Sequence, residues 1–173
     1  MNNLFLPRFE SESSHRAQQL WIYGLSLVLA LWMGATVLLD FVVMPRLGDA
    51  GMMTSASFIP AGFSIFHQFN GLELVAGSMM LTGAILLLTQ TQISHKIRFG
   101  CISAALFLIP MVYFYYLGPQ MAGLGLASDL SAGIPASMNV MHYAYWGLDL
   151  LKISCVALYL SELWHALSDP STV

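Results

Sequence analysis

Charge is what this sequence has least of. Only 9% of its 173 residues are Asp, Glu, Lys or Arg, where soluble domains carry roughly 25%. With 57% hydrophobic residues and a mean hydropathy of +0.70, the chain reads as an integral membrane protein. Positive charge is the scarcer sign: six Lys+Arg stand against nine Asp+Glu. No basic surface is left to neutralise phosphates, which excludes nucleic acid as a partner. Cysteine is nearly absent. Cys101 and Cys155 sit in apolar runs and form no C-x-x-C pair, so they read as small buried hydrophobes, with neither a disulfide framework nor a zinc knuckle. H-E-x-x-H, G-x-S-x-G and a glycine-rich phosphate loop are all missing, which argues against hydrolase and nucleotide chemistry and makes a non-enzyme the first expectation. There is no internal repeat or low-complexity tract. The stretch MNNLFLPRFESESSHRAQQ lacks a small-residue cleavage site and reads as a retained polar tail over residues 1–19 rather than a signal peptide.

What is present is long apolar runs. A spanning helix needs about 20 mostly apolar residues, and four segments qualify, at about 20–44, 64–89, 97–117 and 137–163. The expected fold is therefore all-α, a four-helix transmembrane bundle over residues 20–166, with a short C-terminal tail at 167–173. Pro45 is expected to stop the first span. Pro60 and Gly62 suggest a break before the second, Pro110 a kink in the third, and the Gly, Ala and Ser-rich segment 118–136 a flexible outer loop or a loose interfacial segment. Basic residues set the direction. Arg8, Arg16, Lys96 and Arg98 fall on one side and Arg46 on the other, which places both termini in the cytoplasm. The compartment is a cell or internal membrane, the lipid bilayer is the first partner, and a homo-oligomer or a subunit of a larger membrane complex is expected.

Several polar residues interrupt the spans. In MHYAYWGLDLLK, His142, Tyr145, Asp149 and Lys152 fall at i, i+3, i+7 and i+10, one stripe of a helix. His67, Asn70 and Glu73 sweep one face of the second span, with Gly77 allowing a close helix approach, and Thr36 stacks on Asp40 in the first. Ionisable groups facing lipid cost roughly 2.5 kcal/mol or more each, so these faces must turn inward. Asp40, His67, Asn70, Glu73, His142, Tyr145, Asp149 and Lys152 form the candidate ligand- or ion-binding set, expected in the outer half of the bundle. Its expected role is to bind or pass a small solute, cation or proton. The competing reading is an accessory or assembly protein, with Lys152 merely neutralising Asp149 or Glu73 and Asp40 pairing with Arg46. Methionines gather toward the outer loops and helix ends, and Met with His suits soft cations. His67, His142 and Met141 are thus candidate copper ligands. The same two histidines are candidate axial ligands of a haem b lined by Phe63, Phe66, Tyr143 and Trp146.

The runs LWMGATVLLDFVVMPRL, SFIPAGFSIFHQFNGLEL and MNVMHYAYWGLDLLKI follow one another in that order. Across most of residues 24–160 the chain resembles the four-helix membrane family of unknown function 4149, the transmembrane protein 205-like family. The resemblance implies a four-helix fold, with Trp32, Gly34, Pro45 and His142 at family-pattern positions, and it brings no established reaction. Arg46 departs from the pattern, which has an aliphatic or aromatic residue after the proline. A more distant likeness is to the copper-resistance D membrane proteins.

Overall fold

The computed structural model describes residues 6–52, 57–90, 95–127 and 136–168, and every regular element among them is a helix. Six α-segments make four rods. Helix α1 (Leu6–Val37) runs without a loop through a π-helical segment, Leu38–Val43, into α2 (Met44–Asp49). The second rod is α3 (Phe58–Gln90). In the third, α4 (Lys96–Val112) continues through a second π-helical segment, Tyr113–Leu117, into α5 (Gly118–Ala127). The last rod is α6 (Ala136–Ser168).

Continuous helix is what an apolar solvent demands, because backbone groups without an intrasegment partner find no water there. Three rods are long and apolar enough to cross a membrane: Arg16–Asp49, Phe58–Thr89 and Lys96–Leu126. Helix α6 is as long as α3, at 33 residues. It is more polar, and buries Asp149, Lys152 and Glu162 against its neighbours. α1 touches α3 and α6, α3 touches α4, and α4 touches α6. The rods therefore close into a ring in which α3 and α6 stand diagonally opposed.

Proline does not end the first rod, as the sequence suggested. A proline lacks the N–H that would bond the carbonyl four residues back, and its ring crowds that carbonyl. For Pro45 that residue is Phe41, inside the first π segment; for Pro119 it is Tyr115, inside the second. Each π segment ends two residues before a proline. The helix widens ahead of the ring instead of stopping, and Gly51, with φ of 70°, follows only after α2 has closed. Pro60 makes no break because it is the third residue of α3, within the first turn, where N–H groups have no intrahelical partner anyway. Pro110 is buried within α4. The carbonyl four residues before it, that of Leu106, lies against Gly77 of α3, where an added Cβ would stand 2.5 Å from the oxygen.

Two further boundaries move. Residues expected as a polar N-terminal tail are helical from Leu6, and α6 continues to Ser168 before the expected C-terminal tail. The segment after Leu117, expected as a loop or a loose interfacial segment, begins as α5, while residues 128–135 lie outside the described residues, as do 1–5 and 169–173. The interior is layered. One end is apolar, with Ile22, Leu25, Leu29, Met80, Leu106 and Val156 in a single cluster, and Ile109, Tyr113, Leu117 and Tyr145 form a smaller one. Between them lies a polar layer.

Candidate functional site

Helical spacing carries each polar side chain into that layer. On α1 the buried positions Leu25, Leu29, Trp32 and Thr36 recur every three or four residues, an inward stripe, and the π segment places Asp40 after it. On α3, Asn70 and Glu73 precede Gly77 and Met80 along one buried line, and on α6 the line is Tyr145, Asp149, Lys152, Val156 and Tyr159. Tyr113 opens the π segment after α4.

The centre is an ion triad. Lys152 Nζ lies 2.6 Å from Glu73 Oε1 and 2.7 Å from Asp149 Oδ1. Lys152 and Glu73 are each 1% exposed and Asp149 2%, so all three have left water. The Lys152–Glu73 contact joins the diagonally opposed α6 and α3 and therefore crosses the bundle axis. Glu73 Oε1 also accepts from Trp32 Nε1 at 2.8 Å and Thr36 Oγ1 at 3.0 Å. Asp149 Oδ1 accepts from the Tyr113 hydroxyl at 3.0 Å, which lies 3.2 Å from the Tyr145 carbonyl as well. The Tyr145 hydroxyl donates to Asn70 Oδ1 at 3.1 Å. The Tyr113 and Tyr145 rings stack with centroids 4.2 Å apart, and Lys152 Nζ stands 5.2 Å from the Tyr113 centroid. Charge-assisted bonds of this kind are roughly twice as strong as neutral ones.

Asp40 completes the layer differently. Its carboxyl reaches that of Asp149, side chain to side chain, and feels Lys152 and Glu73. Asp40 Oδ2, Glu73 Oε2 and Asp149 Oδ2 are buried without a hydrogen-bond partner. Two ionised carboxylates only accept, so Asp40 and Asp149 bond to one another only when one of them carries a proton. Arg46, the alternative partner for Asp40, instead meets Asp49 at 3.4 Å on the surface.

No protein-family model, curated protein or solved structure matches the chain. Its chemistry is written in the side chains alone.

Of the eight expected site residues, the structure brings Asp40, Asn70, Glu73, Tyr145, Asp149 and Lys152 together. The two histidines go elsewhere. His67 is half-buried between the rings of Phe63 and Phe114, at centroid distances of 5.3 and 4.3 Å. His142 is exposed and its Nδ1 lies 2.9 Å from the Met138 carbonyl on its own helix. Among the described residues no hydrogen bond or ring contact joins the pair, and no group of three or more His, Cys, Asp or Glu is placed to hold a metal ion. Met141 packs beside the smaller apolar cluster. Glu73 and Lys152 lie at mid-length of α3 and α6, and α3 begins at Phe58 instead of near residue 64.

Three members of the layer are not in the expected set. Thr36 stands four residues before Asp40 on the stripe that also holds Trp32, and that period was the available signal. Tyr113 lies in the run YFYYL, which resembles an interfacial aromatic belt, yet it is fully buried. Toward the apolar end, Tyr159 donates to the Met80 carbonyl at 2.9 Å, and Arg98, 52% exposed, meets buried Glu162 at 2.7 Å.

Proposed function

We propose that the protein crosses its membrane four times, with both termini cytoplasmic, and that its central carboxyl–ammonium layer binds and releases protons while passing a small solute or cation. One observation carries this reading: Glu73 and Asp149 share a single ammonium, Lys152, with the carboxyl of Asp40 in the same layer, and each of the three keeps a buried oxygen without a partner. Fully ionised, the layer holds one positive charge against three negative ones. Unbalanced charge in a low-dielectric interior is neutralised by protonation rather than tolerated. Lys152 already stands between Glu73 and Asp149, where a metal cation would have to displace it, whereas a proton fits on a free oxygen. The fourth crossing is α6, whose charged residues Asp149 and Lys152 face the interior and leave apolar residues such as Leu150, Leu151 and Leu158 outward. A four-helix fold is also what the resemblance to family 4149 implies, and the protein works as a homo-oligomer or within a membrane complex.

The test is proton flux. Protein reconstituted into liposomes holding a pH-sensitive dye should dissipate an imposed pH difference faster than empty liposomes, and Asp149→Asn should abolish the excess. Equal rates with and without protein would remove the proposal. A second reading has its own support. Glu73 Oε1 alone ties α1, α3 and α6 through Trp32, Thr36 and Lys152, as a clasp in an accessory protein does. No flux in the wild type, with large stability losses in clasp variants, favours that role.

A further inference from the structure

The three carboxyls of the layer are not equivalent. Glu73 Oε1 accepts from Trp32, Thr36 and Lys152. Asp149 Oδ1 accepts from Tyr113 and pairs with Lys152. Asp40 is held by no donor among the described residues; what its carboxyl meets is the carboxyl of Asp149. It is also the only one of the three that is not fully buried. It lies past the middle of its rod toward the α2 end, the side proposed as outer. Its backbone belongs to the π segment Leu38–Val43, and single widened turns of this kind recur at functional sites and hinges.

Resting on the proton-handling reading, we infer that Asp40 is the carboxyl that loads and unloads the proton, with Asp149 the acceptor that holds it in place and Glu73 the fixed counter-ion of Lys152. The second observation that points to a ligand is Asp149 Oδ2, an unpartnered oxygen on a side chain that is almost wholly removed from water and that interacts with the Asp40 side chain. A proton on Asp40 gives that oxygen its missing donor. On loading, a water-borne proton bonds to a carboxylate oxygen of Asp40, and the new hydroxyl donates to Asp149. On unloading, that O–H bond breaks, its electron pair stays on Asp40, and the proton returns to water. The charged and titratable groups around Asp40 are Asp149, Lys152 and Tyr145 from α6 and Glu73 from α3, with the Tyr113 hydroxyl reaching it through Asp149. All three of these rods contribute acids or phenols, and only Lys152 opposes them with positive charge. A cation or a second proton reaching the layer changes that balance of charge, the coupling a carrier needs.

The experiment is infrared difference spectroscopy of reconstituted full-length protein across a pH titration, read at the carbonyl stretch of protonated carboxylic acids, beside the dye-flux assay. Wild type should show one such band. Asp40→Asn, a neutral isostere that fixes the loaded shape and should fold, should lose the band and the flux. Asp40→Glu should restore a shifted band. Asp49→Asn, outside the layer and paired with Arg46, should leave both unchanged. Pro45→Ala, which returns an N–H to the carbonyl of Phe41 and lets the π turn tighten, should displace the Asp40 band in frequency. A wild-type band and flux that survive Asp40→Asn overturn the inference while leaving the proton reading in place; a wild type with neither removes the proton reading itself.

Discussion

Replacing Lys152 by Met tests the physical core of the site, because it removes the only positive charge in the layer and keeps the length of the side chain. Glu73 Oε1 and Asp149 Oδ1, at 2.6 and 2.7 Å from Nζ, are left as buried negative charges. Taking one partner from a buried pair costs about 3–5 kcal/mol. The independent limit is protonation. Protonating an ordinary glutamate, whose free carboxyl titrates near 4.3, costs about 4 kcal/mol at pH 7, at 1.36 kcal/mol per pH unit. The two routes agree, so Lys152→Met should lose about 4 kcal/mol at pH 7. The loss should shrink on acidification by about 1.4 kcal/mol per pH unit, since protons then supply what the lysine no longer does. Adding Glu73→Gln should recover most of it, because a neutral pair in the same place leaves less charge to bury, and the coupling is read as a double-mutant cycle. Reversible unfolding in mixed detergent micelles, followed by tryptophan fluorescence, gives the free energies. A Lys152→Met variant within 1 kcal/mol of wild type, or a loss that does not change between pH 7 and pH 5, refutes the reasoning.

Gly77→Ala puts a Cβ 2.5 Å from the Leu106 carbonyl oxygen and 3.0 Å from Phe107 Cα; both are backbone atoms that cannot rotate away, so unfolding measurements should show a loss of about 1–3 kcal/mol. Gly34→Ala, where nothing lies within 4 Å, is the control and should change stability by less than about 0.5 kcal/mol. Trp32→Phe removes the Nε1 donor to Glu73 at 2.8 Å and should cost about 1.5–3 kcal/mol, the range for a bond to a charged group. Tyr113→Phe removes the 3.0 Å bond to Asp149 and should cost a similar amount by the same assay. It should also shift the infrared band of the Asp40–Asp149 pair, which an effect on packing alone would leave in place.

The site was legible where periodicity alone decides orientation. Asp149 and Lys152 are three apart on a helix that has to turn its charges from lipid, and Asn70 and Glu73 repeat that spacing on the second span. Turning both inward puts them in one layer. Histidine was misleading for the same reason. His142 shares the stripe of Lys152 by spacing, yet it stands ten residues nearer the start of α6, where it is exposed and bonds to its own helix through Met138. A polar residue near a helix end needs no partner in the core, so its place on the stripe says little about its destination. Trp32 illustrates the converse. Its ring suits an apolar stripe, and only the carboxylate of a different helix reveals that its N–H is used.

The prolines mark the limit of reading by local rules. In water a proline inside a helix is an efficient stop, because the carbonyl it abandons can turn to solvent. Within hydrocarbon that escape is closed, and a full break would strand several backbone groups at several kcal/mol each. A local π adjustment that re-satisfies them is the cheaper solution, and Pro45 and Pro119 each sit two residues beyond such a segment. The consequence reaches the chemistry. The turn widened for Pro45 carries Asp40, and the turn widened for Pro119 begins at Tyr113, whose hydroxyl bonds to Asp149. Both irregular turns thus open onto the same carboxyl pair from different rods. Two residues that a helix-breaking rule assigns to loops shape the polar layer of the bundle.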